Sequence, residues 1–144
     1  MDIAGSKGLF VGGASGMCRA TVEKFAAKGG KVAILDLEKS NGREVAESVG
    51  GKFYPCNVMD FDGMKAVIDE AVADLGGVHF MVNTAGGGVA QRTVKKDGTG
   101  HSLDDFRRII DLNLIASFNI NTLAAEHMVK NTPNEEGERG VMLN

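Results

Sequence analysis

No apolar run among the 144 residues approaches the roughly 20 that a membrane-spanning helix needs. Met1 to Gly5 opens on an acid and small residues rather than on a signal peptide. A chain kept in the cytoplasm or the mitochondrial matrix, neither secreted nor held in a membrane, is therefore expected. Cysteine is scarce: Cys18 and Cys56 lie far apart, with no CxxC and no histidine-rich spacing. That argues against a disulfide framework and a zinc site and leaves two reduced, packed thiols. His79, His101 and His127 lack HxxxH spacing, so no metal site is expected. Excess positive charge is missing too. A net charge of −3 and an isoelectric point of about 5.6 provide no broad field for nucleic acid or an anionic bilayer. Any anion has to be bound locally.

What is present, 43% hydrophobic and 24% charged residues, suits one domain over residues 1–144 that buries a core. Short apolar runs alternate with helical patterns. Strands are predicted at Lys7–Val11, Lys31–Leu35, Lys52–Pro55, Val78–Val82 and Gly140–Leu143, and helices at Gly16–Lys28, Glu38–Val49, Asp60–Leu75 and Leu103–Lys130. The alternation implies an α/β fold: a Rossmann-like, doubly wound parallel sheet with helices on both faces. In the third helix Met64, Val67, Ile68, Ala71, Val72 and Leu75 fall on one face, Asp60 can cap the start and Gly76 the end. Ser102 is the expected N-cap of the fourth, followed by Asp104 and Asp105 in its first turn. Phe106, Ile110, Leu114 and Phe118 follow helical spacing and read as core or as a subunit contact. Thr84–His101 is a long glycine-rich loop of the kind that serves a site or moves. Its Arg92, Lys95 and Lys96 read as a solvated basic surface before they read as contacts for coenzyme A phosphates.

The stretch Lys7 to Cys18, KGLFVGGASGMC, carries the chemistry. A strand runs into a glycine-rich turn and a helix follows directly. Gly12, Gly13 and Gly16 allow positive φ and close approach to an anion, and the helix start aims free N–H groups at it. Read alone, the turn could equally be a tight connection without a ligand. The second strand, however, ends in Asp36, which lies about 20 residues past Gly16, where a carboxylate can hold a ribose diol.

These residues resemble the short-chain dehydrogenase/reductase family. The GGASG turn, Asp36, CNV at Cys56 to Val58, VNTAG at Val82 to Gly86 and DLNL at Asp111 to Leu114 follow the family's order. The segments HSLDDFRR and NTPNEEGERG further resemble its 3-hydroxyacyl-CoA dehydrogenase type-2 branch. The resemblance implies an NAD-dependent oxidoreductase that transfers hydride between nicotinamide and a secondary alcohol or ketone, with a small alcohol, ketone or acyl-CoA as substrate and a homo-oligomeric assembly. Gly12 and Gly16 would form the pyrophosphate turn, with Ser15 and Met17 as cofactor contacts beside them. Asp36 would bind the adenosine ribose, next to Leu37, and its charge would favour NAD over NADP. Asn57 and Val58 would flank the adenine, Asn83, Ala85 and Gly86 would lie along the cofactor, and Asn113 would be the catalytic asparagine that organises a proton relay.

The sequence also departs from the family pattern. Cys18 stands at the usual third glycine, where it would crowd either the helix against its strand or the cofactor, at a cost of about 1–3 kcal/mol. Val11 replaces a threonine, Thr84 an asparagine or cysteine, and Asn57 an aspartate, which removes a charge but is expected to keep an acceptor for the adenine amino group. The family's serine and its tyrosine and lysine pair have no counterparts. The only tyrosine is Tyr54, in a strand, with Val58 rather than lysine four residues on. It reads as a packing residue. A doubly wound fold normally uses six strands. The expected sheet therefore has order 3-2-1-4-5 and is incomplete at its C-terminal side, and the chain alone is expected to be inactive as a dehydrogenase. The alternative is a catalytically dead nucleotide-binding or assembly module whose fifth strand pairs with another chain.

Overall fold

The computed structural model describes residues 1–144. Its elements run β1 (Lys7–Val11), α1 (Gly16–Ala27), β2 (Lys31–Asp36), α2 (Gly42–Ser48), β3 (Lys52–Pro55), α3 (Met64–Leu75), β4 (Phe80–Asn83), α4 (Leu103–Ile110), a π-helical turn (Asp111–Ile115), α5 (Ala116–Met128) and β5 (Val141–Leu143). The strands form one parallel sheet in the order β3-β2-β1-β4-β5, as the alternation of strand and helix patterns implied. Lys7 pairs with Lys31 and Val11 with Leu35 on one side of β1, while Gly8 pairs with Phe80 and Val11 with Asn83 on the other. No helix is long and apolar enough to cross a membrane.

Period-two alternation along the buried strands divides the core. Leu9, Val11, Ala33 and Leu35 point to the face covered by α3 and α5, where they meet Ile68, Ala71, Ile120 and Ala124. Phe10, Val32 and Ile34 point the other way, onto Cys18, Val22 and Phe25 of α1 and Val45 of α2. Phe25 stacks edge-on against both Phe10 and Phe80, with ring centroids 5.2 Å apart in each pair. Tyr54 is buried, and its hydroxyl donates to Asp74 at 2.6 Å. It is a packing residue, tied from β3 to α3.

Element ends differ from the sequence expectation where side chains compete for backbone groups. Regular α3 begins at Met64 rather than Asp60, because the Asp60 carboxylate accepts the Gly63 N–H at 3.1 Å and closes a turn first. The expected cap at the other end is present in Gly76. Helix α2 starts late for a similar reason. Leu37 N–H donates to Asp36 Oδ1 at 2.7 Å and Gly42 N–H to Ser40 Oγ at 3.2 Å, which holds the segment between them in turns. Ser102 caps α4 as expected, accepting the Asp105 N–H at 3.1 Å. The single helix expected over Leu103–Lys130 is interrupted by the π turn. Asn113 Nδ2 donates to Ile109 O at 2.8 Å, occupying an acceptor that the helix would use for its own ladder, and the ladder widens there.

The stripe of Phe106, Ile110, Leu114 and Phe118 is not core. All four are exposed, Phe118 by 70%, along one side of α4 and α5.

Candidate functional site

At the C-terminal ends of β1, β2, β3 and β4 a cleft of about 470 Å³ opens where the strand order reverses from β1–β2 to β1–β4, the usual ligand position of an open α/β sheet. Gly12, Ser15, Gly16 and Met17 form one wall, Leu35, Asp36 and Leu37 the next, and Cys56, Asn57 and Val58 the far end. Thr84, Ala85, Gly86 and Leu112 complete it.

The glycine turn is shaped for close approach. Gly12 has φ +79°, and its N–H donates to Leu35 O at 2.8 Å. A Cβ there would stand 2.9 Å from Ala85 N, so any side chain would force the turn off the β4 loop. Gly16 has φ +55° with nothing within 4 Å of a built Cβ, which leaves its surface open on the cleft. Ser15, the N-cap of α1, makes no side-chain cap bond, and the first turn holds no acid. The positive end of α1 thus meets no side-chain acceptor from the chain, as an anion site requires.

Asp36 faces this corner. Its Oδ2 accepts the Ala14 N–H at 3.0 Å and its Oδ1 the Leu37 N–H at 2.7 Å. Two backbone donors therefore fix the carboxylate between the glycine turn and the start of the next loop, with acceptor capacity left over.

Two of the sequence-selected asparagines do not line the cleft. Asn83 lies behind the wall, buried: its Oδ1 accepts the Ala85 N–H at 3.1 Å, and its Nδ2 donates to Ser117 Oγ at 3.0 Å. It sets the backbone that forms the wall. Asn113 is exposed on the π turn and grips the loop after β4, accepting the Gly87 N–H at 3.1 Å and donating to Gly87 O at 2.8 Å. A Cβ on Gly86 would come 2.6 Å from Asn113 Oδ1, so this glycine lets helix and loop close together. Leu112, beside Asn113, is the residue of that turn that reaches the cleft.

Cys18 crowds neither the turn nor the cleft. It is buried between α1 and the sheet, with Sγ 3.7 Å from Val11 O, and burial pushes its thiol up to about 11. The thiol takes the space the expected third glycine would leave against the strand. Asn57 is held in a turn: its Oδ1 accepts the Met59 N–H at 3.1 Å, which fixes the carboxamide and leaves the oxygen's second lone pair as an acceptor. Sequence reading also passed over Leu35, Cys56, Thr84 and Leu112. The first three sit at or just past the C-terminal ends of parallel strands, and that position alone was a signal. Burial and the nearby Asp36 charge push the Cys56 thiol up to about 12, which makes it a lining group and not a nucleophile at neutral pH.

A family model for short chain dehydrogenase matches residues 8–144. The 3-hydroxyacyl-CoA dehydrogenase type-2 of Drosophila melanogaster is 39% identical over 139 residues, which cover 94% of this chain and 54% of that protein. The Homo sapiens protein of the same name is 36% identical, with 99% of this chain and 56% of that protein covered. Among solved structures, a 3-hydroxyacyl-CoA dehydrogenase type-2 from Mycobacterium avium superposes with a TM-score of 0.88 at 36% identity, over 96% of this chain and 56% of that one. The chain thus spans about half the length of the relatives it matches.

Proposed function

This chain belongs to the short chain dehydrogenase family, and on that premise we propose that residues 1–144 form one dinucleotide-binding domain whose cleft holds NAD. The activity it serves is oxidation of a secondary alcohol or reduction of the matching ketone, with 3-hydroxyacyl-CoA thioesters as the substrate class that the relatives' names support. The observation that carries the reading is the Asp36 carboxylate held by Ala14 N–H and Leu37 N–H beside an uncapped, glycine-walled helix start.

The residues present fit the cofactor. Gly12, Ser15, Gly16 and Met17 receive the pyrophosphate at the helix start. Asp36 accepts from the adenosine ribose hydroxyls and repels a 2′-phosphate, which selects NAD over NADP. Leu37, Asn57 and Val58 border the base, and Ala85 and Gly86 support the nicotinamide half. Asn83 and Asn113 act one step back, by fixing the backbone of that wall. Bound NAD supplies the hydride acceptor or donor.

Protonation of the forming alkoxide needs an acid tuned toward neutrality. Tyr54 does not supply it. Its hydroxyl is tied to Asp74, and burial together with that carboxylate pushes the phenol far above its ordinary range. These 144 residues alone are therefore proposed to bind the cofactor with little or no turnover. The uncovered stripe from Phe106 to Phe118 is proposed to seat a second copy, giving a homo-oligomer.

Calorimetric titration with NAD and NADP tests the reading on the wild-type chain and on Asp36→Ala. Saturable NAD binding with NADP weaker is expected, and loss of two charge-assisted hydrogen bonds should cost the variant at least about tenfold in NAD affinity and erase the preference. Equal binding of both dinucleotides to both chains contradicts the assignment of Asp36. Oxidation of NADH by acetoacetyl-CoA with the wild-type chain would overturn the proposed inactivity.

A further inference from the structure

Met17 is the most exposed of the seven methionines. It is 80% exposed and stands on the cleft wall directly after Gly16. Met64, Met81 and Met128 are buried in the core, and Met142, 43% exposed, lies on β5 outside the cleft lining. An oxidant has to reach the sulfur to react with it, so the thioether most open to attack is the one that borders the cleft.

The position gives that reaction a consequence. Met17 is the second residue of α1, whose start meets no side-chain acceptor from the chain. Cα–Cβ bonds in a helix tilt toward its N-terminus, and an unbranched side chain with three rotatable bonds lets the sulfur range over that end. A thioether is a weak acceptor and leaves the N–H groups open. A sulfoxide is polar, and its oxygen brings negative charge to the place where the helix start favours an anion.

We propose that Met17 is an oxidation site that switches the cleft, its sulfoxide competing with the dinucleotide pyrophosphate for the helix start. The inference rests on the reading of the cleft as a dinucleotide site. The oxidant is a hydroperoxide: its O–O bond breaks, one oxygen passes to the sulfur lone pair, and the other leaves with the proton as an alcohol or water. Sulfur is oxidised by two electrons and the peroxide is reduced by two. Methionine sulfoxide reductases reverse the step, as two thiols become a disulfide and the oxygen leaves as water. Cys56 lines the same cleft, but burial and the nearby Asp36 charge push its thiol up to about 12, which leaves almost no thiolate to react at neutral pH.

NAD calorimetry before and after dilute hydrogen peroxide tests it on the wild-type chain, Met17→Leu and Met142→Leu, with peptide mass spectrometry to place the added oxygen. Oxygen is expected on Met17, with NAD affinity about tenfold lower in the wild-type chain and in Met142→Leu, the worth of about one net hydrogen bond. Treatment with the two epimer-specific reductases and dithiothreitol is expected to restore it. Met17→Leu, measured against its own untreated sample, is expected to hold its affinity within about twofold. A Met17 that escapes oxidation, an affinity that survives its oxidation, or an equal fall in Met17→Leu overturns the switch while leaving the dinucleotide site standing. Failure of the untreated wild-type chain to bind NAD saturably would instead bring down the reading of the cleft, and the switch with it.

Discussion

The half of the sheet built from β1, α1, β2, α2 and β3 closes over its own apolar residues, and the half built from β4, α4, α5 and β5 does not. Before the end of β4 the large apolar side chains left in solvent are Met17 and Leu37, both on the cleft. Beyond it, Phe106, Ile110, Leu114, Phe118, Met142 and Leu143 are all exposed. Both halves follow the same alternation of strand and helix, so the difference lies in what is meant to cover them. A small group in the cleft suffices for Met17 and Leu37. The stripe along two helices is the face proposed to seat a second copy.

Ile68 underlies both halves, and replacing it has the largest effect. It is fully buried on α3 against the sheet, so Ile68→Asp places an unpaired charge in the shared core. Loss of the cooperative thermal transition is expected by circular dichroism. A soluble variant with a sharp melt would remove α3 from the core.

Gly12→Val attacks the closed half where its glycine turn meets the loop after β4. The positive φ and the 2.9 Å approach to Ala85 N leave no room for a side chain, and left-handed backbone costs about 1–2 kcal/mol for an L-residue before any clash. Weaker NAD binding by more than about tenfold is expected in titration, with the self-association of the other half retained. Phe118→Glu attacks the open half. Sedimentation velocity is expected to show dissociation to monomer at micromolar concentration, with NAD affinity unchanged within about twofold. If either variant disturbed both properties equally, the two halves would not be separable.

The smallest effect concerns His79, which joins the halves where Lys7 N–H donates to its Nδ1 at 3.2 Å. Burial and the nearby Lys7 charge lower its proton affinity in the folded chain. The unfolded chain therefore binds the proton more readily, and the contribution of His79 is complete above its unfolded pKa of about 6.5 and declines as pH falls below it. His79→Gln is expected to flatten slightly the loss of denaturation free energy between pH 7 and pH 5. An unchanged slope would show that the imidazole is not coupled to folding.

Much of this was legible in the sequence because it rests on periodicity and glycine. The strand sequence from Lys7 to Leu143, the sheet order and the meeting of the glycine turn with Asp36 all follow from apolar spacing and chain connectivity. The misreadings share one cause. The π turn at Asn113, the late starts of α2 and α3 and the place of Asn83 behind the cleft wall each depend on a side chain bonding a particular backbone group. Periodicity does not encode such bonds. The stripe from Phe106 to Phe118 was visible as a face, but helical spacing is the same for a face that meets core and for one that stays exposed.

Hydrogen exchange of the chain with and without NAD tests the central claim most directly, because it reads every region in one measurement. NAD-dependent protection is expected at Gly12 to Met17, Asp36 to Leu37, Asn57 to Val58, Ala85 to Gly86 and Leu112 to Asn113, with exchange over Phe106 to Ile110 and at Phe118 unaltered. Protection confined to the helical stripe, or none around Gly12 and Asp36 at saturating NAD, would contradict it.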